Sequence, residues 1–274
     1  MKEYLIPAIT ASRYIKSFVF TRDDWEKLHG EDKDAFIFVC HRHVDDLPDI
    51  IKKYIQWGET ECRTQIRGTR GGGRVCSDAE ACRARAEEAC KGSPFFYGWY
   101  DLGGYVPSPI MAIYQPRYHP QFFMCKMWPI VTYHAIIAFI PKVKITTSFM
   151  RYNPCDYENL LSNVREDITL DETELKAILA YLNSTFNWLW LEQNARYIAK
   201  GPLGLEVSVI KNMPIVNVKI IPREKVMLLA DLFDELEKEA RELLDVKELA
   251  EENEQEEGAK LRIFMELRPI FKKI

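Results

Sequence analysis

The sequence predicts an α+β protein: a mixed or antiparallel sheet domain with long packing helices and a helical C-terminal tail. Short aromatic and β-branched runs, punctuated by proline and glycine, concentrate before residue 150. Two long amphipathic stretches follow, at 171–197 and 223–252. The chain has 274 residues with 47% hydrophobic and 12% aromatic content, enough to bury a sizeable core and incompatible with global disorder.

Leu5–Thr10 and Phe18–Thr21 read as short strands, and Arg22-Asp23-Asp24 opens a short helical or loop stretch. Ala35–Val39 is a continuous apolar run, the pattern of a buried strand. From Leu47 to Trp57 the apolar residues fall at helical spacing behind the acidic start Asp45-Asp46. Ser77–Cys90 reads as a helix with Ser77 as N-cap and Glu80 closing a capping box. Strands are expected at Ile110–Tyr114, Phe122–Lys126, Val131–Ile140 and Lys144–Phe149.

Asp171–Tyr197 is expected to be one long helix. Thr169 or Asp171 would cap it, and Leu175, Ile178, Leu179, Leu182, Phe186 and Leu189 would form its apolar face. Gly201-Pro202-Leu203-Gly204 stops it. Arg223–Glu252 repeats Leu229, Leu236, Leu243 and Ala250 every seventh position, a seam for helix packing that Glu239 interrupts. A last short helix runs to Ile274. The expected division is a domain over 1–220, with a Cys/Arg-rich insert at about 60–93, and a helical tail over 221–274 that packs on a partner or on itself.

No membrane span is read: Leu175–Leu191 is too short and carries Lys176, Asn183 and Asn187. The start, Met1-Lys2-Glu3-Tyr4-Leu5, has no charged leader before an apolar run, so a cytoplasmic location is expected. Net charge is −4, and the acidity is confined to the tail, where 9 basic and 14 acidic residues lie between Lys225 and Ile274. A bulk basic field is absent, so nucleic-acid binding would need local patches.

Seven cysteines, an odd number, argue against a disulfide scaffold. Cys62, Cys76, Cys82 and Cys90 lack the tight pair of a structural zinc site, so buried or paired thiols are the better reading, and no metal is expected. Cys40-His41-Arg42-His43 reads as a polar strand end. There is no nucleophile elbow and no phosphate-cradling glycine loop. Asn153-Pro154-Cys155-Asp156 lacks the second proline and the aromatic that an adenine-holding Asn-Pro-Pro-aromatic tetrapeptide requires, and reads as a turn. No catalytic residue is therefore assigned.

The strongest electrostatic feature is Arg63, Arg67, Arg70 and Arg74, with no acid between them and a Gly71-Gly72-Gly73 hinge. Such arginines reach phosphates and guanine edges; a solvated insert is the equal alternative. Arg117-Tyr118-His119 and Arg196–Lys200 are further basic points with aromatic neighbours, for which the alternative is an exposed loop.

Several stretches, in order, resemble the C-terminal target-recognition region of adenine-N6 DNA methyltransferases, of the Taq type and of the methylase–restriction fusion type. They include Leu5-Ile6-Pro7-Ala8-Ile9, Arg13-Tyr14-Ile15-Lys16-Ser17-Phe18, Tyr54-Ile55-Gln56-Trp57-Gly58-Glu59 and Trp99-Tyr100-Asp101-Leu102. Further on come Pro116-Arg117, Val131-Thr132-Tyr133-His134, and Leu179-Ala180-Tyr181-Leu182-Asn183-Ser184 with Trp188-Leu189-Trp190. Lys200-Gly201-Pro202-Leu203-Gly204-Leu205-Glu206-Val207 and Ile210-Lys211-Asn212-Met213-Pro214 complete the series. His134 stands where that family often has Asn.

The resemblance implies an α+β domain that closes over double-stranded DNA and reads its sequence while a catalytic domain or subunit, with S-adenosylmethionine bound, extrudes and methylates adenine. Residues 60–93 look expanded relative to that family by the Cys/Arg insert, so DNA contact from Arg63, Arg67, Arg70 and Arg74 is expected from their charge, as it is from Arg117, Tyr118, Arg196 and Lys200; the resemblance adds the position of His134, and no cofactor is expected in this chain. A catalytic partner, or a second copy, could dock through the helix 223–252. Two alternatives stand beside it: a specificity subunit of a multi-subunit restriction–modification enzyme, and a protein-interaction scaffold without a DNA role.

Overall fold

A computed structural model describes residues 2–31, 33–62, 75–92, 96–102, 108–116, 119–126, 131–132, 136–139, 170–198, 201–248 and 264–274. The fold is α+β with mixed and antiparallel sheets. The chain divides into two compact units: unit 1 takes 1–7, 36–106 and 142–168, and unit 2 takes 8–35, 107–141 and 169–274. The expected strand Lys144–Phe149 and the turn at 153–156 lie outside the described residues.

In unit 1 the first half of β1 (Leu5–Ile9) pairs antiparallel with β3 (Phe36–Phe38), Ile6 opposite Ile37. The apolar run at 35–39 has the pattern of a fully buried strand, yet β3 is only half-covered and Phe36 is exposed. Helix α2 (Asp49–Thr60) buries Ile51, Ile55 and Gly58 at helical spacing. The two isoleucines join Tyr4, Cys40, Leu47 and Tyr100 in a small core.

Gly58 is required by its surroundings, since a Cβ there would overlap the Trp99 ring. Cys62 and Cys76 are joined by a disulfide, their Cα atoms 5.5 Å apart. Helix α3 spans Glu80–Cys90, later than expected: Cys76–Asp78 forms a separate 3-10 turn, and Ala79 caps the helix without a side-chain bond. The capping box at Ser77 is therefore not formed.

Unit 2 is built on a four-stranded sheet in the order β2 (Val19–Phe20), β5 (Phe122–Cys125), β4 (Ile110–Ile113), β7 (Ile136–Phe139). Within this sheet the β2–β5 pair is parallel and the other two pairs are antiparallel. The second half of β1 pairs parallel with β6 (Val131–Thr132). One face of the sheet packs under Ile9, Ile15, Trp25 and Leu28, the last two from helix α1 (Arg22–Gly30). The other face packs on α4 (Glu172–Asn183), which in turn packs on α7 (Arg223–Glu248). Covered on both sides, α4 buries Leu175, Ala177, Ile178, Leu179, Ala180 and Leu182.

The single helix expected over 171–197 is broken. Asp171 forms a capping box with Glu174, as its position suggests. At Ser184, however, the backbone turns extended and the hydroxyl accepts a bond from the Asn187 amide, opening α5 (Thr185–Asn194). The break rotates the apolar stripe out of register, leaving Phe186 and Leu189 exposed. β8 (Arg196–Tyr197) then pairs with β9 (Leu203–Gly204), so the residues expected only to stop a helix close a hairpin.

Helix α6 (Val207–Asn212) leads to α7, whose buried line is Val226, Ala230, Phe233, Leu236 and Ala240. The heptad stretch is thus used within unit 2, against α4 and α8 (Arg268–Lys273), with Leu229 and Leu243 only partly buried. Among the described residues no helix is long and apolar enough to cross a membrane.

Candidate functional site

Of the nine side chains singled out for DNA contact, Arg196 is described. It stands on β8, largely exposed, with its Nε 2.6 Å from Glu206 Oε1. Arg63, Arg67, Arg70, Arg74, Arg117, Tyr118, His134 and Lys200 lie outside the described residues. The Cys62–Cys76 disulfide brackets the four-arginine stretch.

A cation-lined pocket lies in unit 2 and holds none of those nine. Its volume is about 310 Å³, at the lower end of the range of small-ligand sites. Arg13, Tyr14 and Lys16 form one wall, α1 and the residue after it contribute Asp24, Lys27, Leu28 and Glu31, and Lys33, Arg241 and Leu244 complete it. Five cations against two carboxylates give the lining a net charge of +3.

An ion network fixes this pocket's walls. Arg241 on α7 donates to both carboxylate oxygens of Asp24, at 2.7 and 2.8 Å, to Glu237 Oε1 at 2.7 Å, and to the Val19 carbonyl. Glu237 also accepts from the Phe18 amide at 2.7 Å and the Ser17 hydroxyl at 3.1 Å. Asp24 in addition closes the capping box of α1 with Thr21. Helix, strand and loop are thereby locked together at one guanidinium.

The two carboxyls respond in opposite ways. Burial raises the pKa of Asp24, but hydrogen bonds from Arg241 and Thr21 outweigh it and hold the carboxyl below its ordinary value. For Glu237 burial dominates, and Arg241 offsets it only in part, so its pKa is raised.

A second concave site lies wholly in unit 1. It encloses about 720 Å³ between α2 and α3, walled by Phe96, Tyr97, Trp99 and Tyr100 and by the small Ala86 and Ala89. The aromatic loop is rigidly held. Asp101, fully buried, accepts from the Tyr97 amide at 2.9 Å and lies 2.7 Å from His41 Nδ1. Tyr100 donates to the Arg42 carbonyl, Trp99 Nε1 donates to Glu59, and Arg85 holds the Trp99 carbonyl. His41, which reads in the sequence as part of a polar strand end, is thus an anchor for this loop. Among the described residues no group of three His, Cys, Asp or Glu side chains could hold a metal ion.

Sequence reading missed the cationic pocket because its charges come from separate stretches, with Asp24 and Arg241 lying 217 residues apart. One signal was present: Arg13-Tyr14-Ile15-Lys16-Ser17-Phe18, which also carries part of the resemblance, supplies one of its walls.

Over 60 residues, 22% of its length, the chain is 37% identical to the type II methyltransferase M.AccI of Acinetobacter calcoaceticus. That stretch is 11% of the methyltransferase, so the match spans a small part of the relative. Part of the chain is therefore similar to a type II methyltransferase. No family model matches the chain, and no solved structure matches it.

Proposed function

We propose that this chain is the DNA sequence-recognition part of an adenine-N6 DNA methyltransferase in a restriction–modification system. It positions double-stranded DNA, and a catalytic domain or subunit that binds S-adenosylmethionine transfers the methyl group. The observation that carries this reading is the 37% identity to a type II methyltransferase over 60 residues. The ordered motifs of the target-recognition resemblance, including Arg13–Phe18, Tyr181–Ser184 and Gly201–Val207, support it. In this reading Arg63, Arg67, Arg70, Arg74, Arg117, Tyr118, His134, Arg196 and Lys200 meet the duplex, and the aromatic cleft of unit 1 offers a surface on which an unpaired base can stack.

The test is duplex binding at low salt by the full chain, alone and with a methyltransferase catalytic chain, together with an assay for methyl transfer. Binding without methyl transfer by the isolated chain is expected. One observation favours a protein-interaction scaffold instead: the insert carries a disulfide between Cys62 and Cys76. A scaffold would retain the disulfide and shift no duplex at any salt concentration.

A further inference from the structure

We propose that the aromatic cleft of unit 1 is a binding site for an adenine-type purine base, stacked on Phe96 and Tyr97 and addressed at its edge by the Gln56 amide. That the base comes from a duplex rests on the DNA-recognition reading; the site itself is tested apart from it.

Three segments build the cleft. α2 contributes Lys52, Ile55, Gln56 and Glu59 at helical spacing, and α3 contributes Ala86, Ala89 and Cys90. The side chains from α3 are small, so that helix leaves open a space that larger residues would fill. The loop 96–100 supplies the third wall with Phe96, Tyr97, Trp99 and Tyr100. Its frame is fixed by Asp101 at the Tyr97 amide and by Glu59 at Trp99 Nε1, both at 2.9 Å. Tyr97 still keeps 46% of its surface exposed, and Phe96 is half-buried, so rings on a rigid frame remain accessible to a ligand.

The lining suits a neutral ring rather than an ion. It carries one lysine against one carboxylate: Lys52 donates to the Asp45 carbonyl, and Glu59 accepts from Trp99. The Tyr100 hydroxyl is engaged by the Arg42 carbonyl. The Gln56 amide, by contrast, makes no side-chain hydrogen bond among the described residues. A carboxamide presents a donor beside an acceptor, the complement of adenine N7 and N6, whereas guanine shows acceptors at both N7 and O6. A purine also offers a larger ring face than a pyrimidine, and stacking on aromatic side chains acts through that face.

The experiment measures binding of adenosine, guanosine and uridine to the full chain, and of two duplexes of equal length, one fully paired and one with a single unpaired adenine. Phe96→Ala and Tyr97→Ala remove stacking rings, and Gln56→Ala removes the edge contact. Trp57→Ala, an exposed ring on α2 outside the cleft lining, is the control. Thermal melts establish that each variant is folded; Tyr97→Ala keeps the backbone amide that Asp101 holds. Loss of one stacked ring is expected to weaken adenosine about tenfold. Gln56→Ala is expected to remove the preference for adenosine over guanosine, and Trp57→Ala to match wild type. Cys90, exposed and on the cleft lining, gives a second readout: adenosine is expected to slow its alkylation by iodoacetamide, followed by peptide mapping.

Adenosine binding that Phe96→Ala and Tyr97→Ala leave unchanged, or that Trp57→Ala weakens as much, would overturn the site. Equal affinity of wild type for adenosine, guanosine and uridine would overturn it too. Tighter binding of the duplex with the unpaired adenine, lost in Tyr97→Ala, supports the site and makes the duplex the source of the base. Adenosine binding with no preference between the duplexes supports it with a free nucleoside as the source. Retention of the paired duplex, with neither adenosine binding nor a preference for the unpaired adenine, overturns the site and leaves the recognition reading standing. Adenosine binding without retention of any duplex supports the site and sinks the recognition reading.

Discussion

Asn183 bonds Phe122 as a neighbouring strand would. Its side-chain oxygen accepts from the Phe122 amide at 3.1 Å, and its side-chain nitrogen donates to the Phe122 carbonyl at 2.8 Å and to the Leu179 carbonyl at 2.8 Å. Asn183 and Phe122 are both completely buried, so the amide docks α4 onto β5 by satisfying backbone groups beyond the reach of the two-residue strand β2. Replacing Asn183 by Ala strands both Phe122 groups in the core. A loss of about 3 kcal/mol is expected, given about 1–3 kcal/mol for each buried group left unbonded. Urea unfolding of the variant measures it; a loss below about 1 kcal/mol would show that water reaches Phe122.

The guanidinium of Arg241 supports two partly buried carboxylates. Arg241→Met leaves Asp24 and Glu237 facing each other's field, and a cost of about 2–3 kcal/mol is expected, below the roughly 3–5 typical of full burial because the arginine remains partly exposed. In the wild type, Asp24, with its lowered pKa, adds stability above the ordinary carboxylate range, and this is lost on acidification. Glu237, with its raised pKa, does the reverse and tolerates protonation. Charge-preserving Arg241→Lys should recover only part of the loss, since one ammonium cannot bond Asp24, Glu237 and Val19 together. Urea unfolding of both variants at neutral pH checks the order wild type, Lys, Met.

His119 supplies an acid-labile point. It is stacked 4.0 Å from Phe271, its Nδ1–H donates to the Pro120 carbonyl at 2.7 Å, and its Nε2 has no partner among the described residues. Burial lowers its pKa from 6.5 to about 4, opposed by backbone hydrogen bonding. The folded state thus refuses a proton that the unfolded chain accepts. Above pH 6.5 both states are neutral, and stability falls as pH drops from 6.5 to about 4, by about 3 kcal/mol at about 1.4 kcal/mol per pH unit. Denaturation midpoints measured at neutral pH and at two points within that window should show this decline in wild type, and a flatter profile in His119→Phe.

Much of this architecture is legible in the sequence where periodicity and burial agree. Ile51 and Ile55 mark the buried face of α2 in both. Reading fails where one hydroxyl overrides a pattern: Ser184 breaks an apolar series that runs from Leu175 to Leu189, because its side chain caps a new helix rather than continuing the old one. The heptad on α7 is legible as a packing seam, but not that α4 and Phe271, on the same chain, fill it. Asn183 and Ser184 stand out in the sequence only through resemblance. Their work is structural, since bonds to Phe122 and a helix cap depend on contacts that no local pattern encodes. The cationic pocket is illegible as a unit because its charges come from separate stretches, with Asp24 and Arg241 lying 217 residues apart.

Reducing the Cys62–Cys76 bond should weaken unit 1. The two residues are 14 apart in sequence, and releasing a loop of that size costs about 3 kcal/mol on the chain-entropy account. Thiol counting before and after reduction, combined with proteolysis of the oxidised and reduced protein, is expected to show faster cleavage in 36–102 after reduction. Equal cleavage would indicate that packing of α2 alone holds the insert.

Selection from a random duplex library at low salt, by the full chain with and without a methyltransferase catalytic chain, tests the recognition role most directly. Enrichment of one short sequence, without methyl transfer by the chain alone, is the predicted result. Failure to retain any duplex, even with the catalytic chain present, would contradict it.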